Sequence, residues 1–118
     1  MLNSLKPIAL GYIRKDIAGV AQAWNETQIR SLAKRSGYNL AKTVVLGAKT
    51  EHPIADLIEA GRRAKAHAVI VPSTAHFDGE VIPDELTRVM DVVSVTPERI
   101  YARWTLNPQP WRGLPGAG

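Results

Sequence analysis

The sequence predicts a single α/β domain: an open, mostly parallel sheet of about four to five strands flanked by helices. Three observations predict it. Strand-like and helix-like segments alternate three times along the 118 residues. Residues 8–13 (IALGYI) and 67–71 (HAVIV) are short, almost continuous apolar runs, the pattern of strands buried on both faces. Alternation of this kind, joined by right-handed crossovers, places helices on both sides of a parallel sheet.

Residues 8–13 follow Pro7 and make the first, central strand. From Val20 the apolar period lengthens: Ala21, Trp24, Ile29, Leu32 and Ala33 recur at helical spacing, Glu26 and Arg30 stand four apart, and Gly37 sits where a helix C-terminal cap belongs. Residues 38–46 carry β-branched side chains between two glycines and form the second strand. After a loop to His52, Pro53 opens a helix with Ile54, Leu57, Ile58 and Gly61 inward and Asp56, Glu59, Arg62, Arg63 and Lys65 outward. Residues 67–71 are the third strand, stopped by Pro72. A ten-residue loop, 73–82, holds Ser73, Thr74, His76, Asp78 and Glu80. Pro83 opens another helix, with acidic Asp84 and Glu85 in its first turn and Leu86, Val89 and Met90 inward. Residues 92–95 give a fourth strand and residues 99–104, which alternate polar and apolar, a fifth at the edge. The domain is expected over residues 1–106. Residues 107–118 (NPQPWRGLPGAG) read as a Pro/Gly-rich tail.

Composition excludes several classes of function. With no cysteine there is no disulfide framework, thiolate zinc site or thiol nucleophile. No apolar run reaches the roughly 18 residues of a membrane span, and the N-terminus lacks the apolar core of a signal peptide. The cytoplasm is the expected location. A net charge of +4 is compatible with nucleic acid, but the basic residues are scattered in pairs. The pattern calls for no cofactor and no metal, since no second acidic residue follows Asp16 at the spacing of a two-carboxylate site.

In open α/β sheets ligands gather beyond the carboxyl ends of the strands, so the segments after strands one and three carry the chemistry. These hold Arg14, Lys15 and Asp16, and Ser73, Thr74, His76 and Asp78. Side by side they would make a polar rim, with Arg14, Lys15, Ser73 and His76 as candidate anion-binding residues. The competing role for Arg14 is a salt bridge to Asp16 or Asp78 that holds the turn. For Asp16 it is pairing with Arg14 or capping the helix near Gly19. Arg62, Arg63 and Lys65 are candidate DNA-backbone contacts. Trp24 and Trp104 are either core residues or a candidate interface.

At these residues the chain resembles the catalytic domain of serine recombinases of the resolvase/invertase type. That family has Tyr-x-Arg-Val-Ser at its first strand, the Ser being the nucleophile, and a Leu-Asp-Arg-Leu-x-Arg segment after a valine-rich third strand. Here Tyr12-Ile-Arg14-Lys-Asp16 and Ala68-Val-Ile-Val71-Pro-Ser-Thr74-Ala75-His76-Phe77 stand in those places. The likeness spans roughly residues 6 to 97, about four fifths of the chain. It implies a resolvase-like fold with the nucleophile's place held by Asp16, the Asp-Arg pair replaced by Ala75 and His76, and the last arginine by Gly79. Arg14 alone remains of the phosphate-handling set. Strand exchange needs a hydroxyl to attack phosphorus and several cations on the transition state, and loss of one such donor costs about 10²–10³ in rate. The family's later oligomerisation helix and helix-turn-helix have no counterpart in the pattern before Gly118.

Three functions remain open at this point. The first is a catalytically inactive recombinase-like module, with regulation as one role open to it, that acts by protein-protein interaction through an unknown partner or self-association. The second is weak, non-cleaving binding of DNA or another polyanion through Arg14, Lys15, Arg62, Arg63 and Lys65. The third is a small phosphate-ester enzyme with Ser73 as nucleophile and His76 as its base.

Overall fold

A computed structural model describes residues 6–104, so the tail expected over 107–118 lies outside the described residues. In chain order the elements are β1 (Ile8–Arg14), α1 (Lys15–Ala18), α2 (Gln22–Arg35), β2 (Asn39–Leu46), α3 (Pro53–Ala64), β3 (Ala68–Val71), α4 (Asp84–Thr87), β4 (Asp91–Ser94) and β5 (Arg99–Tyr101). The five strands form one sheet in the order β2-β1-β3-β4-β5. β1 pairs in parallel with β2 and β3, β3 in parallel with β4, and β5 antiparallel with β4. The expected α/β class and the mostly parallel sheet are both present.

Alternation along the strands divides the core into two layers. On one face Ala9, Ile13, Ala68, Ile70 and Val93 pack with Ile29, Leu32 and Ala33 of α2. On the other, Leu10, Tyr12, Val69, Val71 and Val92 pack with Leu57 of α3 and with Phe77, Leu86 and Met90. Burying each Val, Leu or Ile contributes about 1.5–3 kcal/mol, and β3, buried along its whole length, is the strand most committed to that core. Gly11 permits the close approach of β2 and α2 to β1: a Cβ there would lie 2.5 Å from Thr43 Oγ1 and 3.0 Å from Ile29 Cγ2.

Several local expectations are corrected. Helical backbone begins at Lys15, immediately after β1, rather than near Val20. It is interrupted at Gly19, whose φ of 54° and ψ of −131° only glycine adopts readily. α2 therefore starts beyond the strand ends, and burial on it begins only at Ile29, leaving Ala21 and Trp24 exposed. Glu26 and Arg30 do not pair: Glu26 accepts from Gln22 Nε2 and Arg30 donates to Thr27 Oγ1. Gly37 does follow the helix end, where its N–H and that of Tyr38 bond back to Lys34 and Ala33 carbonyls. α4 is a single turn, so Leu86 and Met90 are buried but Val89 is exposed. β5 ends at Tyr101, and Trp104 lies past it rather than on it. Among the described residues no helix is long and apolar enough to cross a membrane.

Candidate functional site

The strand order reverses direction between β1 and β3, and the crevice outside the carboxyl ends of those strands is where open α/β sheets hold ligands. The segments expected to meet there do meet. The backbone N–H of Arg14, at the end of β1, donates to His76 Nδ1 at 2.9 Å. His76 belongs to a 3₁₀ turn, residues 74–76, whose start is capped by Ser73 Oγ accepting from the Ala75 N–H at 3.2 Å. Beneath them Tyr12 and Phe77 stack with ring centroids 5.6 Å apart, so the loop after β3 is anchored by an aromatic pair under the rim.

Arg14 occupies the centre of this crevice. Its guanidinium grips Asp16 with two bonds, Nε to Oδ1 at 3.0 Å and Nη2 to Oδ2 at 2.7 Å, and reaches Asp78 Oδ1 with Nη1 at 3.0 Å. The side chain is only 15% exposed, although Asp78 is almost wholly in solvent. Such a two-toothed carboxylate contact uses the planar fork that would otherwise meet a phosphate. The hydrogen bond from Arg14 holds the Asp16 carboxyl below its usual range, and the same contact raises the Arg14 guanidinium still further above neutrality. Burial lowers the His76 imidazole, the nearby Arg14 charge lowers it further, and Asp16 opposes both. Burial raises the Tyr12 phenol.

In this geometry the candidate groups Arg14, Ser73 and His76 already have partners within the protein. A neutral His76 that accepts at Nδ1 carries its proton on Nε2, so it offers no second lone pair as a base. His76 is buried rather than displayed on the rim, and Ser73 Oγ is engaged in its own turn. Lys15 points the other way, its Cε lying 3.9 Å from where a Gly47 Cβ would stand, at the end of β2. The cavity bounded by Tyr12, Arg14, Ile54, His76, Asp78 and Val81 holds about 70 Å³, room for about two waters. Among the described residues no three His, Asp or Glu side chains converge on a metal position.

Arg62, Arg63 and Lys65 stand elsewhere. They lie at the end of α3, whose start at Pro53 and Ile54 borders the Arg14 cavity, and twelve helical residues span about 18 Å. Arg62 donates to both oxygens of Glu59, at 3.1 and 2.6 Å, and Arg63 Nε shares that carboxylate at 3.1 Å. The candidate cations thus divide between two ends of the sheet, and two of the three at the far end share one carboxylate.

Sequence reasoning named Trp24 as a candidate interface residue but missed Ile17, Val20 and Val81. Ile17, Val20 and Trp24, on the helical segment after β1, are exposed, Trp24 by 62% and Val20 completely, and Val81 is exposed across the Arg14 cavity. Spacings of three and four residues join Ile17, Val20 and Trp24, which is a visible signal, but core burial explains such spacing equally well. Trp104 is 44% exposed, with its N–H bonded to the Thr87 carbonyl and the Arg88 guanidinium 5.5 Å from its ring. Comparison of the chain with protein-family models, with curated proteins and with solved structures finds no match.

Proposed function

We propose that the chain is a recombinase-like α/β module without strand-exchange chemistry, working by binding another protein, or a second copy of itself, at the carboxyl end of its sheet. One observation carries the reading: Ile17, Val20 and Trp24, which follow the carboxyl end of β1, are exposed, as is Val81 on the Arg14 cavity, while the Arg14 guanidinium is already closed by Asp16 and Asp78. Exposed aromatic and aliphatic side chains are enriched in interface hot spots. The resemblance supplies the other support, with Tyr12 and Arg14 at the end of β1 and a carboxylate where attack on phosphorus would need a hydroxyl.

The experiment is site-specific photocrosslinking in cells that express the protein, with the crosslinker at Val20 and, as control, at Lys42 on β2. The expected result is one adduct of defined mass from position 20, absent from position 42 and lost with Trp24→Ser. Its mass separates a second copy from another protein. No adduct at position 20, or equal labelling at both positions, overturns the proposal, as does turnover of a phosphate ester that disappears with Ser73→Ala.

A further inference from the structure

At the amino end of the strands, opposite Arg14, the last turns of α3, the start of β3 and the segment after β5 enclose a groove of about 370 Å³. Its floor is apolar: Ile58, Gly61, Val89 and Met90. The Met90 thioether lies 2.8 Å from the place a Gly61 Cβ would take, so the missing side chain on α3 is what seats that floor. Val89, which follows α4, is exposed and lines this space.

Among the described residues that line the groove, the rim carries cations and no Asp or Glu. Arg62, Lys65, His67 and Arg103 line it. Glu59 already holds Arg62, but among the described residues neither Lys65 nor Arg103 has a side-chain ion pair. His67 Nδ1 accepts the Ile8 N–H at 3.3 Å, leaving Nε2–H as its donor. The far wall is fixed in place: the Arg103 N–H bonds Asp91 Oδ1 at 2.5 Å and the Trp104 N–H bonds the Thr87 carbonyl at 2.8 Å. The volume falls at the small end of the roughly 300–1,000 Å³ of ligand pockets, which are typically apolar with a few placed polar groups.

We infer that this groove binds a small amphipathic anion free in solution, a medium-chain alkyl carboxylate, with its chain on Met90 and Val89 and its head at the Lys65 and Arg103 rim. Charge complementarity selects the occupant. An apolar floor alone would accept any alkyl chain, whereas two cations without an ion pair among the described residues, set against Glu59 and Asp91 that are already engaged by Arg62 and the Arg103 N–H, favour an anionic head over a cationic one.

The test titrates the full-length protein with hexanoate, octanoate, acetate and octyltrimethylammonium, following amide ¹H–¹⁵N shifts and calorimetric affinity. Expected are shifts grouped at Gly61, Ala66 and Val89, and affinity rising up to about fourfold per methylene from hexanoate to octanoate. Octyltrimethylammonium should bind at least about tenfold more weakly than octanoate, because it brings the same chain with the opposite charge. Lys65→Gly/Arg103→Ala should weaken octanoate binding by at least about tenfold. The fold should survive that change, since Lys65 has a φ of 57° that glycine adopts freely and Arg103 is exposed. Four results overturn the inference. They are no shifts at the groove, as when residues after Trp104 already fill it; equal binding of the ammonium probe; acetate binding as well as octanoate; or an unchanged affinity in a double variant whose amide spectrum is native.

Discussion

His76 can accept the Arg14 amide proton at Nδ1 only while its ring is neutral, and burial together with the Arg14 charge keeps it so. Its folded pKa therefore lies below the ordinary value of 6.5. Above that value neither state holds the extra proton and stability does not depend on this group. As pH falls through about 6.5 the unfolded chain takes up a proton that the folded ring resists, and stability declines until the lower folded pKa is passed. Urea midpoints measured at pH 7.5 and 5.5 should fall for the wild type and fall less for His76→Gln. Asp16 acts in a separate window. Its carboxyl is depressed, so its contribution is present above the ordinary value of 3.8 and lost only as pH drops through the lower folded value.

Among the elements, β1 carries the tightest constraint, because Gly11 faces both Thr43 of β2 and Ile29 of α2. Gly11→Ala should destabilise by about 1–3 kcal/mol through overpacking, measured as a lower urea midpoint. Thr43→Ala in the same chain should recover part of that loss by removing the oxygen that the new methyl meets at 2.5 Å. The strands were legible in the sequence since their apolar runs have no other use: residues 8–13 and 67–71 emerge as β1 and β3 within a residue or so at each end. The helices were legible where they cover the sheet, as at Ile29, Leu32, Ala33 and Leu57. They were not where they overhang it. Trp24 keeps helical spacing with the core residues but stands before the turn at which α2 reaches the sheet, and position relative to a sheet end is a tertiary fact that periodicity does not encode. The crevice was half legible. The topology rule brings the ends of β1 and β3 together, yet which of Ser73, His76 and Asp78 would reach Arg14 depends on the loop's 3₁₀ turns at Thr74–His76 and Asp78–Glu80 and on the Tyr12–Phe77 stack.

Across the whole molecule, the cations do not form one track. Arg14 is enclosed by carboxylates at one end of the sheet, and Arg62, Arg63 and Lys65 lie at the other, with Glu59 between the two arginines. A duplex laid on the α3 end would meet Arg62, Arg63, Lys65 and the neighbouring Arg103, about four charges, so any binding to DNA should show a slope of log K against log salt no steeper than about −4. Fluorescence anisotropy over a salt series reads that slope directly. A steeper one would mean a continuous basic surface and would favour a polyanion partner over a protein.

The parallel pairing of β1 also governs the order in which the chain can complete itself during synthesis. Ala9 finds its neighbour Ala68 only about 60 residues later, across β2 and α3. At about 5–20 residues per second the ribosome takes several seconds to deliver that partner. Throughout that interval the apolar edge of β1 that will later be covered by β3 is open to any other strand. The nascent protein is therefore most prone to misassociation before residue 71 has emerged, and a growth temperature or codon usage that lengthens this interval should reduce the yield of native protein without altering the finished fold.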